Sequence, residues 1–284
     1  PGFAAPAWQP AQPRPAPKGA PRFIPCPPIR VTERIKPKKI TEPAPGTFIF
    51  DFGQNLVGWT KLTAKGPRGA TVRLRFAESL RKDGSLYLTN MRGARVTDHY
   101  ILAGSDAPES WKPRFTYHGF RYAELTGFPG KPTPESLEAC VVHSDLEPAG
   151  SWKTSDETIN RILANTRWGL RGNYLSIPTD CPQRDERQGW QGDRANESRG
   201  EAYLFDTAAF YTKWLDDIRD SQREDGNVSD VCPAFWPFYS GSAVWPAVQT
   251  IVPNTFHEIY GDQRLSQRHY PGTARWLQFQ LKRR

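Results

Sequence analysis

Apolar residues in the first half of the chain recur with a period of two. Thr47-Phe48-Ile49-Phe50-Asp51-Phe52 alternates, and Thr71-Val72-Arg73-Leu74-Arg75-Phe76 does so with arginine on one face and apolar groups on the other. Such alternation marks strands with one buried face. Val96 to Leu102, Phe120 to Leu125 and Ala139-Cys140-Val141-Val142 continue the series, and Gly53-Gln54-Asn55, Gly66-Pro67-Arg68-Gly69, Lys82-Asp83-Gly84 and Phe128-Pro129-Gly130 punctuate it as turns. Residues 47–149 are therefore expected to form an antiparallel β-sandwich.

Near Gly150 the period changes to about 3.6. Thr154-Ser155-Asp156 precedes Ile159, Ile162, Leu163 and Thr166, a helix start followed by helical spacing. A second helical stretch is predicted from Asp193, read as its cap, to about Gln222, with Phe205, Ala208, Ala209, Tyr211 and Trp214-Leu215 on its apolar side. A third runs from Ala243 to Tyr260, interrupted by Pro246 and Pro253, and a fourth from Leu265 to Leu281. The pattern gives an all-β domain followed by an all-helical one over residues 150–284.

Composition changes this picture at one end. Residues 1–46 hold 13 of the 27 prolines, which favours an extended lead-in, with Ile29-Arg30-Val31 as a first strand at its end. The same segment carries eight Lys or Arg (Arg14, Lys18, Arg22, Arg30, Arg34, Lys36, Lys38, Lys39) against Glu33 and Glu42, so +6 of the net +8 is local to it. A nucleic-acid binder built on that segment would show salt-sensitive retention on DNA; a basic linker is the simpler reading, and no nucleic-acid partner is expected. Cys26, Cys140, Cys181 and Cys232 form no CxxC and have no histidine cluster beside them, so a zinc site is not expected and free thiols are. No apolar run approaches the roughly 20 residues of a membrane span. The chain opens Pro1-Gly2, and no secretion signal is visible to assign a compartment.

Chemistry concentrates between Ser176 and Arg194. Two prolines and two glycines there argue for a long loop feeding a helix, and the same stretch carries Asp180, Asp185, Glu186, Asp193, Arg184, Arg187, Arg194 and Trp190. Glycosidic cleavage needs one carboxylic acid to protonate the leaving oxygen and a second carboxylate to activate water or attack carbon. Neighbouring carboxylates help an acid keep its proton, arginines hold others ionised or clamp hydroxyls, and a tryptophan walls the apolar face of a sugar ring. A salt-bridged loop joining two helices, with Trp190 as its core anchor, satisfies the same composition.

Asp180-Cys181-Pro182-Gln183-Arg184-Asp185-Glu186-Arg187-Gln188-Gly189-Trp190, continued by Gly192-Asp193, resembles the signature loop of bacterial α-L-rhamnosidases, glycoside hydrolase family 78. Asp51-Phe52-Gly53-Gln54-Asn55-Leu56-Val57-Gly58-Trp59, Arg75-Phe76-Ala77-Glu78, Thr97-Asp98-His99-Tyr100 and Phe115 to Tyr122 resemble the family's β-domain, so the likeness spans about residues 22–284. It implies a β-sandwich followed by the first helices of an (α/α)6 barrel, and inverting hydrolysis of terminal α-L-rhamnosides without a metal or cofactor. It also implies Glu186 as general acid, Asp180, Arg184, Trp190 and Asp193 around the rhamnose ring, and Trp245 as a further aromatic wall. Gln191 and Arg194 depart from the commoner Thr and Ala of the motif. The family's general base lies far downstream, and Glu197, Glu201, Glu224 and Glu258 do not resemble its context. On that reading about a third of a barrel is present, and these 284 residues alone are expected to be poorly soluble and not to turn over at an enzymatic rate. A non-catalytic carbohydrate-binding protein is the alternative.

Overall fold

The computed structural model describes residues 9–21 and 23–283. Arg22, one of the eight basic residues of the lead segment, lies outside them, as do the Pro1-Gly2 start and Arg284. Among the described residues, eight strands precede five α-helices. The strands are β1 (Ile29–Ile35), β2 (Lys39–Ala44), β3 (Thr47–Ala64), β4 (Thr71–Ala77), β5 (Thr97–Ile101), β6 (Glu109–Trp111), β7 (His118–Thr126) and β8 (Leu137–Ser144). They pair antiparallel in the order β1-β8-β3-β7-β4-β5, with β2 and β6 also on β3.

The 18-residue β3 organises this curled sheet. Its first part pairs with β2 and β7, its last part with β8 and β6. The change of partner follows a register shift between Asp51 and Leu56, so Gly53-Gln54-Asn55 lies in a bulge inside the strand, not in the turn expected of it. Past the bulge, Gly58 (φ 152°) faces β8 so closely that a Cβ would lie 1.9 Å from the Cys140 carbonyl oxygen; only glycine permits that approach. Regular structure also begins earlier than the proline content suggests, because β1 and β2 occupy the end of the 1–46 segment and pair with β8 and β3. Strand β6, three residues long, is too short to leave a periodic signal.

Alternation fills the β-domain core. Val72, Leu74 and Phe76 point inward with Phe50, Phe52, Phe120 and Leu125, while Arg73 and Arg75 turn out to Glu124 at 3.5 Å each. The helices are α1 (Glu157–Gly172), α2 (Gln191–Ala202), α3 (Ala208–Ser221), α4 (Val248–Tyr260) and α5 (Arg264–Leu281). Asp156 caps α1 as expected, accepting from the Thr158 and Ile159 amides at 2.7 and 3.3 Å. The stretch predicted as one helix from Asp193 to Gln222 is two. It breaks at Tyr203 to Thr207, where Phe205 bridges Pro148 and the Asp206 amide bonds the Glu147 carbonyl, tying the break to the chain leaving the β-domain. Tyr174, Phe205, Phe210, Tyr211, Trp214, Val252 and Phe256 form the helical core.

The two cores meet along α1 and the start of the loop after it. Trp168 packs on the β-domain core, and Gly172 lies against Val57. The Ser144 amide bonds the Tyr174 carbonyl at 2.6 Å. This seam fixes where the Ser176–Arg194 loop leaves α1.

Candidate active site

The loop closes on itself through Asp180. Its amide donates to the Gln188 carbonyl at 2.9 Å, and its Oδ1 accepts from the Gln188 amide at 2.7 Å. The intervening residues become a tight excursion with Arg184 and Glu186 on the Asp180 side. Arg187, at φ 56°, turns away to donate to the Tyr117 carbonyl at 3.0 Å, with its guanidinium 4.3 Å from the Tyr117 ring.

Glu186 is held by three side chains. Its Oε1 accepts from Trp190 Nε1 at 3.0 Å. Its Oε2 lies 3.0 Å from one guanidinium nitrogen of Arg184 and 3.1 Å from one of Arg92. Asp180, Cys181 and Glu186 place one polar atom each within 4.8 Å of one another. Burial raises the pKa of Asp180, against the hydrogen bonds of Cys181 and the Gln188 amide, and the Glu186 carboxylate adds to the rise. The Asp180 side chain is only 6% exposed, and its Oδ2 has no hydrogen-bond partner. Burial and Asp180 push the Cys181 thiol up to about 11, which leaves it protonated and unsuited to nucleophilic attack at neutral pH.

An aromatic wall stands beside this carboxylate pair. The Trp190 ring stacks on Phe238 at 6.0 Å and meets Trp245 edge-on at 6.5 Å. Trp245 sits directly over the first turn of α2, where a Cβ on Gly192 would come within 2.8 Å of its ring. Asp193 does not cap α2. Trp190 occupies the cap position and Asp193 stands exposed in the first turn, where its charge suits the helix dipole. It joins the others through a cavity of about 280 Å³ that it lines with Asp180, Arg194 and Glu197.

Glu186 thus joins Arg184 and Trp190 directly, Arg184 reaches Asp180 at 3.9 Å, Trp245 adjoins the group through Trp190, and Asp193 shares a cavity with Asp180. Neither motif departure contacts Glu186, although Arg194 shares the cavity of Asp180 and Asp193. Gln191 is fully buried, its amide bonding the Asp230 carbonyl at 3.0 Å and its side chain the Ser229 carbonyl at 2.6 Å. Arg194 is buried against Glu201, Glu197 and the Thr179 carbonyl, which holds the residue before Asp180 in place. Arg92, Gly93 and Phe238 were not singled out by the sequence. Arg92 and Gly93 lie in the β-domain, where nothing in the local pattern points to a carboxylate some 90 residues away. Phe238 sits among apolar residues without helical or strand periodicity. All four cysteines are free. Among the described residues, no helix is long and apolar enough to cross a membrane.

Residues 147–284 match the family described as bacterial alpha-L-rhamnosidase 6 hairpin glycosidase domain, and residues 41–143 match the bacterial alpha-L-rhamnosidase concanavalin-like domain. The chain belongs to the bacterial α-L-rhamnosidase family. An alpha-L-rhamnosidase of Streptomyces avermitilis is 43% identical over 252 residues, which is 89% of this chain and 24% of the relative. One from Alteromonas sp. is 36% identical over 258 residues, 27% of its length. The chain spans about a quarter of the length of these curated rhamnosidases. Among solved structures, the alpha-L-rhamnosidase of Dictyoglumus thermophilum superposes with a TM-score of 0.88 at 44% identity, covering 91% of this chain and 29% of that one. The Streptomyces avermitilis rhamnosidase complexed with L-rhamnose gives 0.88 at 42% identity, covering 91% and 25%. The curled antiparallel sheet followed by helices is the architecture of this rhamnosidase family.

Proposed function

We propose that the protein containing this chain hydrolyses terminal α-L-rhamnosides with inversion at the anomeric carbon, Glu186 acting as general acid. The observation that carries this reading is the placement of Glu186. Its carboxyl group is fixed by the indole of Trp190, adjoins the buried carboxyl of Asp180, and stands beside the Trp190, Phe238 and Trp245 rings. A sugar ring resting on that wall brings its glycosidic oxygen toward Glu186, which donates the proton as the bond breaks. Asp180 and Arg184 hold ring hydroxyls from one side and Asp193 from the other. Trp190 and Trp245 cover the apolar face of the ring.

Inversion requires a second carboxylate on the opposite face, roughly 6.5–9.5 Å from the acid, to leave room for water. Asp180 is too close to Glu186 to serve. Glu201 is committed to Arg194 and Tyr211, Glu197 to Arg194, and Glu258 to Arg199 and Asn254. Glu224 stands exposed in a turn. As the family resemblance implies, the base is assigned downstream of the described residues. The short Asp180–Glu186 spacing favours one competing reading, in which Asp180 attacks the sugar and configuration is retained. Proton NMR of the first-formed sugar distinguishes them. The full-length gene product is expected to release β-L-rhamnose from an aryl α-L-rhamnoside before mutarotation. Initial release of the α anomer would replace inversion by the Asp180 route, and no hydrolysis of any α-L-rhamnoside would overturn the assignment.

A further inference from the structure

Two consecutive β-domain residues grip two consecutive carboxylates of the loop. Arg92 Nε lies 2.7 Å from Asp185 Oδ1, and another of its nitrogens lies 3.1 Å from Glu186 Oε2. The Gly93 amide donates to Asp185 Oδ2 at 3.1 Å. The grip is built into the fold. The single turn Thr89–Met91 that presents it buries Met91 in the β-domain core, and Asn90 donates to Glu78 at 3.1 Å. Arg92 itself has φ 54° and ψ −118°, a conformation unfavourable for any residue with a side chain, held where the guanidinium reaches across to the helical domain. Although desolvation works the other way, Arg92 and the Gly93 amide hold the Asp185 carboxyl below its ordinary range, so Asp185 is an ionised anchor for that guanidinium.

We infer that Arg92 is a positioning residue for the reaction: it locks Glu186 in place from the β-domain, aiming its carboxyl at the oxygen it must protonate. This rests on Glu186 being the acid. Two guanidiniums share one Glu186 oxygen, Arg184 from within the loop and Arg92 from the other domain. Within the loop Glu186 also faces Asp180 and Cys181, the latter a neutral thiol. Across a cavity of about 270 Å³ it faces Arg95, His118 and Arg187. His118 is paired with Asp98 at 3.0 Å, and Arg187 is turned onto Tyr117. Arg92 is therefore the cation that reaches the acid from the β-domain, and removing it frees the Glu186 carboxyl to turn from its place. Proton donation needs the acid within hydrogen-bond reach of the leaving oxygen, so a displaced Glu186 lowers kcat without weakening sugar binding.

The test uses the full-length gene product and compares kcat and KM on an alkyl α-L-rhamnoside with those on an aryl α-L-rhamnoside bearing a good leaving group. In Arg92→Met, kcat on the alkyl substrate is expected to fall about tenfold or more with KM little changed, while the aryl substrate, which needs little protonation, loses much less. Arg92→Lys, which keeps a charge but not the two-carboxylate span, is expected to recover part of the alkyl rate. Equal losses on the two substrates in Arg92→Met, or no loss on either, make Arg92 merely structural and overturn the inference. Glu186→Gln is run in parallel. If it loses the alkyl rate selectively while Arg92→Met does not, only the role of Arg92 fails. If Glu186→Gln loses both rates equally, or neither, the acid assignment itself fails.

Discussion

Arg194 and Arg92 both bind two acidic groups, yet burial separates their roles. Arg194 is 3% exposed beside Glu201 at 1%, and Tyr211 donates to the same Glu201 carboxylate. Burial alone would lower the pKa of Arg194, but Glu201, Tyr211 and Glu197 together raise it, so the charge is retained inside the helical core. Arg194→Met removes that charge and leaves Glu201 buried without its partner. Breaking a buried pair from one side costs about 3–5 kcal/mol, so chemical denaturation should show a loss of that order. Arg92 is half exposed, and ion pairs of that kind contribute about 1 kcal/mol or less, so Arg92→Met should leave stability nearly intact. A stability loss under about 1 kcal/mol for Arg194→Met would mean that Glu201 finds another partner. The sequence could mark Arg194 as a departure from its motif but not assign its work, because the work depends on Glu201 and Thr179 converging in a core that no local pattern describes.

At the scale of elements, the first turn of α2 and the short turn before Val248 depend on each other. Gly192 leaves room for the Trp245 ring, and the ring closes over the helix start. Gly192→Ala gains about 1 kcal/mol of helix propensity but inserts a methyl group where overpacking costs about 1–3 kcal/mol. The overpacking prevails and Trp245 shifts, so KM for rhamnosides should rise several-fold while kcat changes little. An unchanged KM with a raised melting temperature would show that Trp245 does not line the sugar site. Element types were largely legible in the sequence: the buried faces of β3 and β4, the Asp156 cap and the helices containing Pro253 and Pro271 follow from periodicity. Boundaries were less so. Gly53-Gln54-Asn55 reads as a turn, yet pairing of β3 with β7 on both sides of it carries the strand through as a bulge. Asp193 reads as a cap, yet the chain is already helical at Gln191, with Trp190 drawn into a bridge with Val231.

For the whole molecule, the candidate site belongs to neither half alone. The helical half supplies the loop from Asp180 to Trp190 and the aromatic wall, and the β-domain supplies Arg92, Gly93 and the Tyr117 carbonyl. The loop motif was legible in the sequence because its residues are contiguous; the β-domain's share was not, because folding alone brings it there. The central claim is that this assembly makes Glu186 the proton donor, and the most direct test compares substrates differing only in their need for that proton. In the full-length gene product, Glu186→Gln should cut kcat/KM on alkyl α-L-rhamnosides by about 10²- to 10⁴-fold, and on aryl α-L-rhamnosides with good leaving groups by less than about tenfold. Equal losses on the two substrates would contradict the assignment of Glu186 as the acid.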